Sequence, residues 1–239
     1  TGPPRIITAA SLFDGHDAAI NVMRRLIQSA GAEVIHLGHD QSAKAVVDCA
    51  IQEDAHGVAL TSYQGGHVEY FTYIRQLLDE AGCEHIRIFG GGGGTITPPE
   101  IKTLHESGIS KIYSPDDGRT MGLMGMIHHL MGIASEVDLI HPDRIASLSG
   151  PVTPEDTAKV GLLLTMSESA DDATFKATID KCRSSEKEVP VIGFTGTGGA
   201  GKSSLLDELM LRILRDNPGK KVCLLCVDPT RKRTGGALL

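Results

Sequence analysis

The sequence has no tryptophan and only five phenylalanines and four tyrosines in 239 residues, so large stacking surfaces are not its means of recognition. It has no excess of positive charge either. Its 23 basic side chains face 30 acidic ones, for a net charge of −7, and no long Lys/Arg cluster occurs, which excludes a nucleic-acid-tracking surface. No apolar run, Val160 to Met166 included, approaches the roughly 20 residues that a membrane-spanning helix needs, and no charged-then-apolar signal segment opens the sequence. A cytoplasmic location without a membrane partner is therefore expected. Cysteine is sparse and odd in number, at five (Cys49, Cys83, Cys182, Cys223 and Cys226), which argues against a secreted disulfide framework. The Cys223 and Cys226 pair lies in an apolar run, Lys221 to Val227, that predicts a buried strand rather than a redox or metal pair. What the sequence does have is glycine, 28 in all, which directs attention to loops where the backbone itself is approached.

From Arg5 to about Ile133, short apolar runs alternate with amphipathic segments, the pattern of a parallel sheet covered by helices. Strands are predicted over 5–10, 33–37, 57–61, 86–89 and 111–113, with helices near 17–30, 42–54, 67–81, 99–107 and 118–131. This is an α/β domain over 1–134, a flavodoxin-like, doubly wound, five-stranded parallel sheet. Ligands of such folds sit at the carboxyl ends of the strands near the topological switch point. From 135 to 189 turn formers recur and a partly helical linker is expected, with a capped helix start at Thr153-Pro154-Glu155-Asp156. Val191 to Phe194 predicts the first strand of a second α/β domain, 190–239, read as the truncated start of a P-loop nucleotide domain.

That second segment carries Gly196-Thr-Gly198-Gly199-Ala-Gly201-Lys202-Ser203-Ser204, a phosphate-binding loop between a predicted strand and a helix over 204–214. Glycines let successive N–H groups turn toward phosphate oxygens, Lys202 reaches the outer phosphates, and Ser203 offers a hydroxyl to Mg²⁺. Asp228, in Asp228-Pro-Thr230, follows the next predicted strand, where an acid suits a metal or water contact; an acidic turn residue before proline is the plainer reading.

In the first domain, strand one runs into Ser11-Leu-Phe-Asp14-Gly-His16-Asp-Ala-Ala19, which puts His16 at the ligand-binding edge. Asp14 is placed to accept the imidazole's other N–H and fix its tautomer, as carboxylates do for metal-bound histidines, although an Asp-x-His is also an ordinary loop feature. Two more loops converge there: Thr61-Ser62-Tyr63-Gln-Gly-Gly-His67, and Gly90 to Gly94 followed by Thr95. The glycines leave room for a bulky ligand, the Thr61 and Ser62 hydroxyls can bind without filling it, and His67 is a further candidate at its border.

Asp14-x-His16, Thr61-Ser62-Tyr63 and Gly93-Gly94, in this order and spacing, resemble the signatures of cobalamin-binding domains. The phosphate loop with Asp228-Pro-Thr and Arg233-Thr-Gly-Gly-Ala is similar to the G-protein chaperones of the cobalamin-dependent acyl-CoA mutases. In that family a histidine replaces the cofactor's dimethylbenzimidazole below cobalt and the displaced nucleotide tail enters a slot between strands one and three. The resemblance implies His16 as cobalt ligand, Asp14 as its partner, and Thr61, Ser62, Gly93, Gly94 and Thr95 around the cofactor. Ala19 stands where the pattern has glycine, and Thr61 and Tyr63 stand for its Ser and Leu.

The resemblance further implies adenosylcobalamin, GTP or GDP and Mg²⁺ as cofactors, the last held by Ser203 and Asp228, with Lys202 and Asp228 as GTPase residues. The implied activity is an isomerase interconverting isobutyryl-CoA and n-butyryl-CoA by a radical route, with a GTPase gating cofactor loading. Implied partners are a substrate barrel, which takes about 250 residues, an adenosyltransferase, and a second copy in the full-length protein. On this reading the present chain is a fragment that does not turn over alone. The residues also admit a corrinoid carrier for methyl transfer, or a nucleotide-dependent switch with a flavodoxin-like binding module.

Overall fold

β1 (Arg5–Ser11) is buried along almost its whole length because it lies inside a sheet covered on both faces. In the computed structural model, which describes residues 2–153, 155–183 and 189–225, it is joined by β2 (Glu33–Gln41), β3 (Gly57–Thr61), β4 (Arg87–Gly91) and β5 (Lys111–Tyr113). All pairings are parallel and the order is β2-β1-β3-β4-β5. Strands of such a sheet read as continuous apolar runs, which is why β1 and β3 stand out in the sequence. The order reverses at β1, so the loops after β1 and β3 leave the sheet side by side, with Ala10 opposite Thr61 at the carboxyl edge.

Five helices cover the two faces. α1 (Asp17–Ser29) and α5 (Pro115–Ser135) pack Ile27, Ile127 and Leu130 against Ile6, Ala59 and Phe89. On the other face α2 (Ala43–Gln52), α3 (His67–Glu80) and α4 (Pro98–Glu106) set Val46, Phe71, Ile74 and Leu104 against Ile7, Val58, Leu60 and Ile88. Helix starts follow capping chemistry. The Ser42 Oγ accepts from the Ala45 N–H, and a Ser114/Asp117 capping box with Pro115 starts α5 three residues before the predicted position.

The stretch expected to be a linker is packed instead. α6 (Pro142–Ser147), α7 (Thr157–Ser169) and α8 (Asp172–Cys182) enclose a small core of Leu148, Leu162, Met166 and Cys182. α7 lies against α2 at Gly161, where a Cβ would stand 2.9 Å from the Ile51 carbonyl oxygen. Arg144 reaches buried Asp54 at 2.6 Å, and Arg5 reaches Glu168 at 3.3 Å. One unit accordingly runs from residue 1 to 186 and a second from 187 to 239. Among the described residues no helix is long and apolar enough to cross a membrane.

In the second unit α9 (Lys202–Asp216) forms, two residues longer at each end than predicted. The strands expected over 191–194 and 221–227 do not form among the described residues. Val191 and Ile192 are exposed, as is Cys223. An apolar run becomes a strand only by pairing its backbone with another, and none of the described residues of this unit supplies a ladder.

His56, just before β3, accepts the Arg5 N–H through Nδ1 at 2.9 Å, which requires the neutral ring. Burial and the nearby Arg5 charge push its pKa down to about 4. A histidine depressed in the folded state takes up its proton more readily when unfolded. Its contribution is therefore complete above the unfolded value of about 6.5 and is lost as pH falls toward about 4. The melting temperature is expected to fall by several degrees over that interval, and less steeply in His56→Asn, whose amide oxygen can replace Nδ1. Equal slopes for the two proteins in calorimetry would refute this account.

Candidate functional site

The loop after β1 is organised by the carboxylate of Asp14, which is fully buried. Its Oδ1 accepts the His16 N–H at 2.9 Å and contacts the His16 Nδ1 at 2.8 Å, while Oδ2 accepts the Tyr63 N–H at 2.6 Å. One side chain thus ties the β1 loop to the β3 loop. Burial by itself would raise the Asp14 pKa, but the hydrogen bonds from Tyr63, His16 and the imidazole outweigh it and hold the carboxyl below its usual value. With Nδ1 engaged, Nε2 is the ring nitrogen left for a ligand. The imidazole is 62% exposed, so that nitrogen is reachable from solvent. The Tyr63 ring lies beside it, with centroids 5.6 Å apart.

Beneath this crossing a cavity of about 450 Å³ opens between the sheet edge and the α1 and α5 helices, lined by Ala19, Met23, Thr61, Tyr63, Phe89, Gly91, Met126 and Leu130. Its wall is mostly apolar with few polar groups, the makeup of a small-molecule site. Thr61 Oγ1 is buried in that wall without a hydrogen-bond partner among the described residues. A hydroxyl in that position is costly unless a bound group satisfies it. The neighbouring Ser62 hydroxyl is already engaged with Ser11 Oγ at 3.0 Å. On the α5 side the helix breaks at Gly122 (φ +66°, ψ 172°), next to Leu123 in the cavity wall.

The glycine run after β4 does two jobs. A Cβ on Gly90 would stand 2.3 Å from the Phe71 ring, and one on Gly92 would stand 1.8 Å from the Ser62 carbonyl oxygen, so these two serve packing. Gly93 (φ +57°) begins the single 3₁₀ turn Gly93–Thr95 and faces the cavity. Gly94 and Thr95 are exposed on that turn and do not line it. His67 is buried at the start of α3 with Nε2 3.2 Å from a Glu100 carboxylate oxygen, away from the cavity wall.

In the second unit Gly199 (φ +76°) and Gly201 (φ +81°) bend the loop ahead of α9. The Lys202 ammonium donates to the carbonyl oxygens of Gly196 and Thr197, at 2.7 and 2.8 Å, closing the loop on itself. Ser203 and Ser204 stand exposed in the first turn of α9, beside the unsatisfied N–H groups of its start. Asp228 and Cys226 lie outside the described residues.

Residues 4–112 match the family model of the B12 binding domain, and residues 160–239 match that of the methylmalonyl Co-A mutase-associated GTPase MeaB. The chain is 50% identical over 242 residues to the fused isobutyryl-CoA mutase of Geobacillus kaustophilus, covering 98% of this chain and 22% of that one. It is 50% identical over 240 residues to the fused isobutyryl-CoA mutase of Nocardia farcinica, with coverage of 99% and 22%. With the 2-hydroxyisobutanoyl-CoA mutase small subunit of Aquincola tertiaricarbonis it shares 34% over 115 residues, 48% of this chain and 82% of that one. The chain belongs to the cobalamin-binding acyl-CoA mutase family. It spans about a fifth of the length of the two fused relatives.

The two family matches agree with cobalamin and GTP among the cofactors expected from the sequence, and with the α/β fold class. The GTPase match begins at Val160, inside α7, so part of the segment read as a linker carries family sequence. Of the residues expected at the crevice, Asp14, His16, Thr61, Ser62 and Gly93 meet at the β1 and β3 edge. Three participants escaped the sequence reading: the Tyr63 N–H, the Ser11 hydroxyl and the α5 side of the cavity. Ser11 and Tyr63 stood inside the motifs without a role, and only the β1–β3 adjacency gives them one.

The glycine contacts yield a graded expectation. Gly90→Ala and Gly92→Ala should each destabilise the fold by about 2 kcal/mol or more, as overpacking does. Gly94→Ala, whose Cβ would meet nothing within 4 Å, should stay within about 0.5 kcal/mol of the parent in urea unfolding. Equal effects at all three positions would contradict the packing assignment.

Proposed function

We propose that this chain is the cofactor- and nucleotide-binding part of an adenosylcobalamin-dependent acyl-CoA mutase, with His16 Nε2 as the protein ligand to cobalt. The observation that carries the reading is the Asp14 crossing, which holds His16 by Nδ1 at the mouth of an apolar cavity whose wall has an unsatisfied hydroxyl, Thr61. Asp14 accepts the Nδ1–H, which keeps the lone pair on Nε2 and makes the ring a better donor to a metal. The cavity suits the displaced nucleotide tail: apolar side chains for a flat base, Thr61 Oγ1 for a polar atom on it, and bare backbone at Gly91 and Gly93 for close approach. Ser62 braces the β3 loop through Ser11, and Gly94 and Thr95 border the mouth.

When bound, adenosylcobalamin supplies a cobalt–carbon bond whose homolysis starts a radical rearrangement of an acyl-CoA. The residues of this chain bind the tail, orient the histidine and keep water from the buried base. The substrate of the fused relatives, isobutyryl-CoA, is the proposed substrate, to be bound by a barrel outside this chain. The family's small subunits support a mutase partner of that kind. An adenosyltransferase for delivery, a homodimer for the full-length protein and a cytoplasmic location complete the proposal.

In the second segment, Gly196, Gly198, Gly199 and Gly201 form the phosphate cradle, with Ser204 beside it in the helix start. Lys202 would exchange its two carbonyl partners for phosphate oxygens, and Ser203 with Asp228 would hold Mg²⁺. GTP binding there gates cofactor loading.

Titration with adenosylcobalamin, followed in the visible spectrum, tests the central step. The parent chain is expected to give the spectrum of a cofactor without its benzimidazole ligand, and His16→Ala is expected to abolish that shift. Thr61→Val should weaken binding about 10-fold, by loss of one hydrogen bond to a buried group, without lowering the melting temperature. A parent chain that binds with its benzimidazole still on cobalt would overturn the reading.

A further inference from the structure

We propose that Asp40, at the end of β2, is a positioning residue for the cobalt ligand, fixing the Phe13–Asp14 segment from which His16 is presented. The inference deepens the His16 reading and rests on it. β2 pairs with β1 in simple register from Arg5↔Glu33 to Thr8↔His36, then slips twice, to Ala9↔Gly38 and Ser11↔Gln41. Each slip leaves an extra residue on β2, and bulges of this kind re-aim side chains beside functional sites. Here they raise Asp40 to the level of the β1 loop. Its Oδ1 accepts the Phe13 N–H at 2.6 Å, and its own N–H donates to the Asp14 carbonyl oxygen at 3.2 Å.

Phe13 needs this hold. Its φ of +62° lies in the left-handed region, which a bulky L residue rarely adopts. Its side chain is 80% exposed, so packing does not keep it there. Asp40 itself has φ +56°, a conformation that Asp tolerates better than most residues. The two hydrogen bonds grip the Leu12–Phe13 and Asp14–Gly15 peptides and, with the Asp14 N–H donating to the Ser11 carbonyl oxygen at 3.0 Å, set the Phe13–Asp14 peptide between them. The orientation of that peptide aims the Asp14 carboxylate at His16 and Tyr63. Released from Asp40, Phe13 would return to negative φ and carry Asp14 out of register with both partners.

Two variants of the full chain separate the acceptor from the backbone. Asp40→Gly keeps the left-handed conformation and the N–H but removes the carboxylate; Asp40→Asn keeps an oxygen acceptor. Amide exchange at Phe13 and His16 is read without cofactor, and the benzimidazole-off spectrum is read during titration with adenosylcobalamin. Asp40→Gly is expected to speed exchange at Phe13 and His16 and to weaken benzimidazole-off binding, each about 10-fold, with the global melting temperature unchanged. Asp40→Asn should stay within about 3-fold of the parent in both readouts.

Parent-like behaviour of Asp40→Gly, or equal damage in Asp40→Asn, would overturn the proposal. If the parent chain itself gave no benzimidazole-off spectrum, the His16 reading would fail separately, and the exchange rates alone would decide whether Asp40 holds the loop.

Discussion

The first unit depends on one buried carboxylate. Asp14 has lost all solvent, a cost of several kcal/mol for an ion unless hydrogen bonds replace the water. Three donors do so: two backbone N–H groups and an imidazole. Because one of those donors belongs to the β3 loop, the charge can be satisfied only when β1 and β3 are neighbours and end at the same height. Sheet order, register and histidine orientation are thus linked through a single side chain. The same contact draws on the Tyr63 N–H rather than its ring, so the position requires a residue other than proline.

Around that crossing, polar and apolar tasks are divided between neighbouring residues. Ser62 is taken up by Ser11 and keeps the loop in place, whereas Thr61, in the cavity wall, has a buried hydroxyl with no partner among the described residues. Gly90 and Gly92 let the β4 end approach Phe71 and the Ser62 backbone, and together with Gly91 and Gly93 they line the space for a ligand. The cavity then owes its depth to α1 and α5, whose apolar faces close it from one side. At the opposite end of the sheet, Arg144 on Asp54 attaches α6, and Gly161 on α2 attaches α7, which overlaps the GTPase family match.

Much of this was legible in the sequence, for definite reasons. Buried parallel strands are uninterrupted apolar runs, so β1, β3 and β5 could be read closely from composition alone. The sequence pattern predicts an end to β2 at Leu37 because His39, Asp40 and Gln41 have loop composition; they stay in the strand through bulged pairing that ends at Ser11, which is a non-local fact. The sequence of α6 to α8 resembles a linker because their packing depends on an ion pair spanning 90 residues and on one glycine's missing methyl, and neither leaves a periodic signal. The runs at 191–194 and 221–225 carried strand composition but have no ladder among the described residues. For the site, Asp14 and His16 were legible as a spacing. The choice between Thr61 and Ser62, and the packing role of two of the five glycines, needed coordinates.

The proposed role of Asp14 is to hold His16 so that its Nε2 replaces the cofactor's own base below cobalt. Electron paramagnetic resonance of the cobalt(II) form of the cofactor, bound to a chain whose histidines carry ¹⁵N, tests it most directly. The nitrogen splitting is expected to change from a triplet in unlabelled protein to a doublet in labelled protein, and the doublet to be lost in Asp14→Ala. A triplet that persists in the labelled protein would place the benzimidazole nitrogen on cobalt and contradict it.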